Sequence, residues 1–161
     1  MGVFFSGREL LNVAVGIEKN GAAFYDTLAA SAKHAAARRL YRHLADKERE
    51  HIGIFQNMLG LVGDYEPPDT LTEEYQSYFR ALVDTLVFTD DRLPADVARE
   101  VSSDTEAIQV ALGVEKDSIL LYTEMRNLVR KAQRAVVVRV IEEERGHLRE
   151  LRDLRKSLGK R

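Results

Sequence analysis

Two ionisable residues interrupt the apolar stripe of a predicted helix, and they constrain what this chain can fold into. Between residues 35 and 59, steps of three and four residues connect Leu44, Glu48, His51 and Phe55. This spacing predicts a helix with one face turned towards a core. A charge buried there without a partner would cost several kcal/mol or more. Glu48 and His51 therefore need a partner inside the protein.

The same pair of residue types occurs a second time, near the end of the chain. In the segment IEEERGHLREL, Glu144 and His147 are three residues apart, as Glu48 and His51 are. Residues three apart share one face of a helix, about one turn from each other. Both pairs can therefore point into one core.

Two further glutamates repeat in the helices that precede these pairs. The segment IEKNGAAFY holds Glu18 and Tyr25, and VEKDSILLY holds Glu115 and Tyr122. In each segment the tyrosine follows the glutamate by seven residues, which is two turns along the same face. Each glutamate precedes the pair in its own half of the chain by 30 or 29 residues. The chain is therefore predicted to be a duplicated helical hairpin.

The helical periodicity extends over most of the chain, and no segment shows the alternation of a strand. We expect long helices at about 7–32 and 35–59, a third from about residue 104, and a fourth at about 131–158. Two hairpins joined by a long connection give an all-α four-helix bundle with a crossover that carries short accessory helices. We expect a single domain over 1–161, with hairpins at 7–59 and 104–158 and the crossover at 60–103.

Local signals predict where the first hairpin begins and ends. Ser6 and Glu9 have the spacing of a capping box, which would start the first helix. The opening MGVFFS also matches a myristoylation pattern at Gly2, but the capping box is the stronger interpretation of Ser6. Gly60 and Gly63 are candidates to cap the end of the second helix.

Two shorter helices are predicted in the crossover. Thr70 is a possible cap for a helix near Glu73, and Pro94 would begin another helical piece. Aromatic and aliphatic residues in this region could cover the bundle or meet a second chain. They are Tyr75, Tyr78, Phe79, Leu82, Leu86 and Phe88.

Composition excludes several classes of site and partner. The sequence has no cysteine, which excludes disulfides, thiolate zinc sites, iron–sulfur clusters and a four-thiolate iron centre. The net charge of -2 gives no field that favours nucleic acid or an anionic membrane. No apolar run approaches the length of a membrane span, and no export signal is apparent, so we expect a cytoplasmic protein.

A binuclear metal centre accounts for the ionisable residues on the four stripes. Four carboxylates buried together would repel one another, whereas two divalent cations would cancel their formal charge. Oxygen-rich ligation with one imidazole per metal suits iron or manganese, and zinc could occupy the same site. The predicted ligands are Glu18, Glu48, His51, Glu115, Glu144 and His147.

These motifs resemble the rubrerythrin-like branch of the ferritin-like di-iron carboxylate superfamily. The resemblance rests on EKDSILLY, LADKEREHIGIF and EEERGHL, and it covers nearly the whole chain. It implies a ferritin-like bundle with two iron ions, held by a glutamate from each of two helices and a Glu-x-x-His motif from each of the others. In that family the motif glutamates bridge the metals, although this sequence alone does not identify the bridging residues.

Two departures from the family pattern bear on activity. Rubrerythrins add a cysteine-ligated rubredoxin module, which this chain does not contain, so the resemblance implies a separate electron-donor protein. They also have a glutamate where this chain has Ser118, three residues after Glu115. Ser118 could hydrogen-bond to a ligand or merely leave room. The resemblance implies reduction of hydrogen peroxide or dioxygen, and the departure at Ser118 leaves peroxidase activity open.

Several other residues have alternative interpretations. Tyr25 and Tyr122 are either donors to the ligand carboxylates or ordinary core tyrosines. We expect His34 and His43 to face solvent and to have no chemical role. Glycines would be tolerated near the metals if the helices approach closely there. These glycines are Gly21, Gly53 and Gly146. Three glutamates next to predicted ligands should point away from the site, namely Glu50, Glu142 and Glu143.

Three functions follow from these expectations. The first is a di-iron oxidoreductase acting on peroxide or dioxygen, and the second is ferrous iron binding and oxidation without a reductase role. The third is a helical interaction module whose site is vestigial or filled by zinc. We expect a homodimer, with exchange of hairpins between protomers as one possible arrangement, whereas iron uptake beyond two ions per chain would require a larger assembly.

Overall fold

The computed structural model describes residues 5–160, which form six α-helices and no strand. The helices are α1 (Gly7–Ser31), α2 (Ala35–Val62), α3 (Glu73–Asp84), α4 (Pro94–Glu100), α5 (Asp104–Leu128) and α6 (Arg134–Leu158), with a 3₁₀ turn at Lys131–Gln133. Helix α1 packs along α2, and α5 packs along α6. The predicted all-α bundle of two hairpins is therefore confirmed.

The first hairpin begins and ends at residues that its sequence explains. Ser6 and Glu9 form the predicted capping box at the start of α1; Gly2 lies outside the described residues. Helix α2 continues through Gly60 to Val62, three residues beyond the predicted end, so Gly60 does not cap it. Gly63 stops the helix with a φ of 55°, a backbone conformation that favours glycine.

Two short helices form within the crossover, as predicted, but one cap differs. Helix α3 begins at Glu73 with Thr72 as its cap, since the Thr72 hydroxyl accepts a hydrogen bond from the Tyr75 amide. The prediction of Thr70 as the cap is wrong by two residues. Helix α4 begins at Pro94, whose fixed φ suits the first helical position.

The accessory segment covers the bundle with part of its apolar surface. Phe79 is fully buried, and Phe88 packs against Phe24 of α1 with ring centroids 5.1 Å apart. Tyr78 stays exposed over 42% of its surface. No helix in the described residues has the length and hydrophobicity needed to cross a bilayer.

The start of α2 is capped by a residue from the second hairpin. His34 occupies the N-cap position but makes no side-chain cap hydrogen bond. Instead the buried Asp104 carboxylate accepts hydrogen bonds from the backbone amides of Lys33 and His34, at 3.2 and 2.8 Å. The ring of His34 also contacts Asp104 at 2.5 Å. His34 is exposed to solvent, as expected, and its ring is also tied to the bundle through Asp104.

Two apolar clusters fill the bundle, one towards each end. One contains Phe24, Tyr25 and Tyr41, and the other contains Phe55 and Tyr122. On each long helix, the residues that join one cluster and those that join the other lie on opposite sides of the predicted metal ligands. The ligands therefore occupy a polar layer between two apolar layers.

Candidate metal centre

Six ionisable side chains from four helices meet in the middle of the bundle. They form two groups, and within each group one potential ligand atom per residue lies within 4.8 Å of the others. One group is Glu18, Glu48, His51 and Glu144; the other is Glu48, Glu115, Glu144 and His147. All six are buried, with at most 5% of their surface exposed. Two of them, Glu48 and Glu144, belong to both groups.

His51 faces carboxylates through both ring nitrogens. Its Nδ1 lies 3.3 Å from Glu18 and 3.0 Å from Glu144, and its Nε2 lies 3.1 Å from Glu143. A histidine that hydrogen-bonds through both nitrogens in this way is doubly protonated. A metal ion at Nδ1 would take the place of one proton and leave the bond to Glu143 intact.

His147 occupies the equivalent position in the second group. Its Nδ1 lies 2.9 Å from Glu144, and 3.7 Å from both Glu48 and Glu115. The rings of His51 and His147 are stacked at 5.8 Å between centroids. Both imidazoles therefore direct the same nitrogen at the carboxylates, as the duplicated sequence leads one to expect.

Two tyrosines hold the single glutamates, and each bond connects the two hairpins. The Tyr25 hydroxyl of α1 donates to Glu115 of α5, and the Tyr122 hydroxyl of α5 donates to Glu18 of α1. Both tyrosines are fully buried. Of the two interpretations open from the sequence, the structure supports donors to the carboxylates.

Burial makes two of the carboxylates, Glu48 and Glu115, hard to ionise while no metal is bound. It raises the pKa of Glu48, and the negative charges of Glu18 and Glu144 raise that pKa further. Burial together with the charge of Glu144 raises the pKa of Glu115 to about 8. Both shifts favour the neutral acid and oppose the bare cluster of charges.

The pKa values of the two histidines rise and that of Glu144 falls, which favours protonated histidines beside an ionised Glu144. Burial alone would lower the pKa of His51, but the neighbouring carboxylates of Glu144 and Glu18 outweigh burial and raise the pKa to about 11. The pKa of His147 rises to about 10, because the carboxylates of Glu115 and Glu144 likewise outweigh burial. Burial opposes the charge on Glu144, yet the two histidines beside it lower its pKa. Protons thus supply the positive charge that the layer requires.

Glu143 contacts the site, contrary to the prediction that it points away. Its side chain is about one-third exposed, and its carboxylate reaches across from α6 to His51 Nε2 on α2. The sequence signal was the acidic residue immediately before Glu144. The first half of the chain has Lys47 at the equivalent position, so the duplication gave no second copy of this signal.

The other side chains that were predicted to lie away from the site do so. Glu50 and Glu142 are exposed and bond to Lys47 and Arg145 in their own helices. His43 is half-exposed, and its nearest acidic contact is Glu150 at 4.0 Å. None of these side chains reaches the ligand layer.

Ser118 does not replace the missing carboxylate. Its buried hydroxyl donates to the Val114 carbonyl at 3.2 Å, within its own helix. It also lines a cavity of about 20 Å³ beside Ile17 and Val87. Of the two sequence-based alternatives, leaving room is the one the structure favours, because no described bond joins Ser118 to a predicted ligand.

Of the three glycines that were expected near the site, only Gly21 is explained by a close approach of neighbouring atoms. A Cβ atom there would lie 3.0 Å from Glu48 Oε2, which is too close without a shift of that carboxylate. Nothing lies within 4 Å of the corresponding position at Gly53, and at Gly146 only the Arg149 guanidinium approaches, at 3.8 Å. Close packing therefore accounts for Gly21 alone.

The donor set fits two metal ions. Buried oxygen and nitrogen atoms converge on two neighbouring points, and the two groups share Glu48 and Glu144. Oε1 of Glu144 makes no well-oriented hydrogen bond with any residue between 5 and 160, and its ionic contact with His51 Nδ1 is 3.0 Å long. A buried carboxylate oxygen without a well-oriented donor is costly, and a cation is the usual partner for it.

Comparison with solved structures identifies proteins that share this fold. The chain superimposes on a protein from Thermotoga maritima, provisionally assigned to the ferritin-like diiron-carboxylate proteins, with a TM-score of 0.69 and 26% identity. That match covers 97% of this chain and 98% of the other. A hypothetical protein from Pyrococcus furiosus shares the fold at a TM-score of 0.72 and 22% identity, covering 97% and 92%. No curated protein matches the chain.

The family profile covers most of the chain. The Rubrerythrin profile matches residues 9–156, which include nearly all of both hairpins and all six side chains of the polar layer. With this match, the ferritin-like bundle and the paired Glu-x-x-His motifs, the chain belongs to the rubrerythrin family.

Proposed function

We propose that this protein is a di-iron oxidoreductase that reduces hydrogen peroxide or dioxygen with electrons from a separate donor protein. One observation carries the proposal: two groups of buried donors share Glu48 and Glu144. Two ions bound by these groups would lie side by side. The sequence contains no cysteine with which to build a thiolate iron centre for electron entry.

The geometry suggests a role for each ligand. Glu18 and His51 would bind one ion, and Glu115 and His147 would bind the other. Glu48 and Glu144 would help to hold both ions, since each belongs to both groups. Carboxylates with one imidazole per ion suit iron or manganese, and zinc could bind without the same redox reactivity.

Two adjacent irons would supply the two electrons that turn hydrogen peroxide, with two protons, into two water molecules. The chain positions the ligands for this chemistry and keeps the surroundings dry. The tyrosine hydroxyls fix the orientation of Glu18 and Glu115. The apolar clusters on either side exclude bulk water from the layer.

Rapid mixing of the ferrous protein with peroxide or dioxygen tests the proposal. We expect peroxide to oxidise the bound iron within the mixing experiment, in a reaction that the double variant Glu18→Ala, Glu115→Ala abolishes. Oxidation no faster than in that variant would contradict the proposal. Anaerobic metal analysis beforehand should give two irons per chain.

Ferrous iron oxidation without a reductase role is the second candidate, and Ser118 favours it. In rubrerythrins the carboxylate absent here is associated with peroxide reduction, and the Ser118 hydroxyl bonds only to its own helix among the described contacts. This candidate predicts sustained turnover with added ferrous iron and dioxygen. Uptake of more than two irons per chain during that turnover, in a large assembly, would select it over the first.

The partners and location of the protein are also proposals. We expect a homodimer and an external donor protein, in the cytoplasm. Sizing of the native particle distinguishes a dimer from a larger assembly with a storage cavity. A protein purified with zinc, and unreactive after iron loading, would instead be a metal-binding interaction module.

A further inference from the structure

Four cationic side chains surround a groove between α5 and α6, which we call the cationic groove. Its volume is about 220 Å³, and Leu112 and Leu148 form its apolar floor. The cations that line it are Lys116, Arg149, Arg152 and Arg155. Among the residues that the structure describes, no acidic side chain lines this groove, although the chain as a whole has a net charge of -2.

Most of this positive charge is not neutralised within the protein. Lys116 and Arg149 are exposed, and neither forms an ion pair with any residue between 5 and 160. Arg152 pairs with Asp153 at 2.8 Å, but the two side chains are 49% and 64% exposed, so water weakens their attraction. Arg155 hydrogen-bonds to an uncharged glutamine. The cationic groove can therefore bind an acidic partner.

Helix stability does not explain these cations. Arg149, Arg152 and Arg155 follow one another at intervals of three residues on α6, where like charges destabilise a helix. The helix dipole favours positive charge only near the last turn, which contains Arg155 but neither of the other two. Another reason is needed for Arg149 and Arg152.

The first half of the chain has no equivalent of the three arginines. In the register that aligns His51 with His147, the corresponding residues are Gly53, Gln56 and Leu59. Lys19 corresponds to Lys116, since each directly follows a predicted ligand glutamate. The positive charge is therefore concentrated on one face of a duplicated fold, and building a hairpin does not require it.

The cationic groove adjoins a second groove that reaches a predicted metal ligand. The second groove has a volume of about 470 Å³, lies between α2 and α6, and shares Arg149 and Arg152 with the first. The ring of His147 lines it, and Nδ1 of the same ring faces Glu144. One imidazole therefore separates this part of the surface from the polar layer.

The acidic residues of the second groove already have partners within the protein. Glu143 contacts His51 at 3.1 Å, and Asp153 contacts Arg152 at 2.8 Å. Glu150 lies 4.0 Å from a histidine of α2. A protein that approached this surface would therefore meet its free charge at the cations.

We propose that an electron-donor protein with an acidic surface docks on the cationic groove and delivers electrons to the metal layer through the His147 ring. This inference rests on the proposed function, which requires an external donor. Opposite charges would speed the encounter and orient the donor. The floor formed by Leu112 and Leu148 would exclude water beneath it.

The electron transfer balances over two encounters. In each encounter the donor loses one electron and the oxidised iron pair gains one, so the second encounter restores the ferrous state. Hydrogen peroxide then takes both electrons, together with two protons, and yields two water molecules. The chain itself is neither oxidised nor reduced.

Cross-linking of the iron-loaded protein locates the docking surface independently of activity. A carbodiimide joins a lysine to a carboxylate that contacts it, and a plant-type [2Fe–2S] ferredoxin, which is acidic, is the probe. We expect Lys116 to become linked to the ferredoxin at low ionic strength and to lose that link in high salt. Lys19, exposed at the corresponding position in the first half, is the matched control and should not react.

Charge reversal tests whether docking controls electron delivery. In Arg149→Glu, Arg152→Glu, we expect reduced ferredoxin to reduce the peroxide-oxidised protein about 10–100-fold more slowly than it reduces the unmodified chain. The control is Arg8→Glu, Arg139→Glu, which changes the net charge equally at exposed positions outside both grooves and should keep the unmodified rate. Dithionite, which needs no docking surface, should reduce all three proteins equally fast.

Four results would overturn the docking surface. Two are equal rates in both double variants and equal cross-linking of Lys19 and Lys116. The third is linkage of Lys116 to a second copy of the chain in place of the ferredoxin. The fourth is binding of a DNA duplex that needs the same arginines, while electron transfer from ferredoxin does not.

The reaction of the ferrous protein with peroxide, measured in the same preparations, separates this inference from the proposed function. Rapid oxidation alongside any of those four results would leave the proposed function standing. A ferrous protein that peroxide fails to oxidise would overturn both.

Discussion

The Glu143 carboxylate lies 3.1 Å from Nε2 of His51, and this contact makes the two halves of the site unequal. An acceptor at Nε2 fixes the proton on that nitrogen and leaves Nδ1 for the metal. The residue equivalent to Glu143 in the first half is Lys47, which bonds to Glu50 instead. His147 therefore has no matching carboxylate from that position.

Replacing Glu143 should weaken metal binding in one half of the site. In Glu143→Gln, we expect affinity for one of two cobalt ions to fall about 10–100-fold, the usual effect of losing such a partner. Titration followed by visible absorption would resolve the two steps. Glu142→Gln, which alters the exposed neighbour, is the control. Equal weakening of both steps would show that Glu143 does not act through His51.

Gly21 should be required for the position of Glu48. Gly21→Ala places a Cβ atom 3.0 Å from Glu48 Oε2, so the carboxylate must move and metal affinity should fall. Gly53→Ala is the matched control, because its Cβ meets nothing within 4 Å. It should stabilise α2 by up to about 1 kcal/mol and leave metal binding unchanged. Equal metal affinity in both variants would refute the steric argument.

The metal-free protein should lose stability as the pH rises. Between about 4.5 and 8 the folded chain holds a proton on Glu115 that the unfolded chain has lost, and between about 6.5 and 10 the same is true of His147. For each such proton, the free energy of unfolding falls by up to about 1.4 kcal/mol for every unit that the pH rises within that range. Thermal unfolding in chelator at about pH 5.5, 7 and 8.5 measures this trend.

The Glu115→Gln variant isolates one contribution to that trend. Its unfolding temperature in chelator should fall less between about pH 5 and 8 than that of the unmodified protein. Metal binding displaces these protons, so the loaded protein should gain stability relative to the metal-free form as the pH rises. A metal-free protein that becomes more stable over this range would contradict the assigned protonation.

Loss of the carboxylate at position 104 should destabilise the bundle. Asp104 caps the start of α2 and contacts His34, so Asp104→Asn should cost about 1–2 kcal/mol at neutral pH, by urea unfolding. Burial opposes the charge of Asp104, but its bonds from His34 and Lys33 outweigh burial and lower its pKa. The stabilisation is therefore present above about pH 4 and is lost as the pH falls through the folded pKa.

A surface carboxylate provides the comparison. Asp96→Asn removes an exposed partner of Arg99 and should change stability by no more than about 0.5 kcal/mol. A similar small effect at Asp104, or an effect that persists in strong acid, would contradict the capping role.

The long helices and the polar layer were predictable because both follow from helical periodicity. Apolar positions three and four residues apart identify the stripe, and the ionisable residues on it repeat at matching spacings in the two halves. The glutamate and histidine side chains were expected to converge because each lies on the stripe of its own helix. The structure brings all six together.

Contacts across helices were harder to predict, because they depend on how the helices rotate against each other. The helical wheel turns Glu143 away from Glu144, yet it reaches His51 on another helix. Likewise, no local signal connects Asp104 to the start of α2, some 70 residues earlier. The Thr72 cap was missed because two threonines precede Glu73 at short range, and either can cap.

The reciprocal tyrosine bonds also bear on how such a chain arose. Tyr25 serves a glutamate in the second hairpin, and Tyr122 serves one in the first. A single ancestral hairpin could not have satisfied its own glutamate in this way. It would have needed an identical companion, so fusion of two copies would have made permanent, in one polypeptide, a pairing that once depended on the meeting of separate molecules.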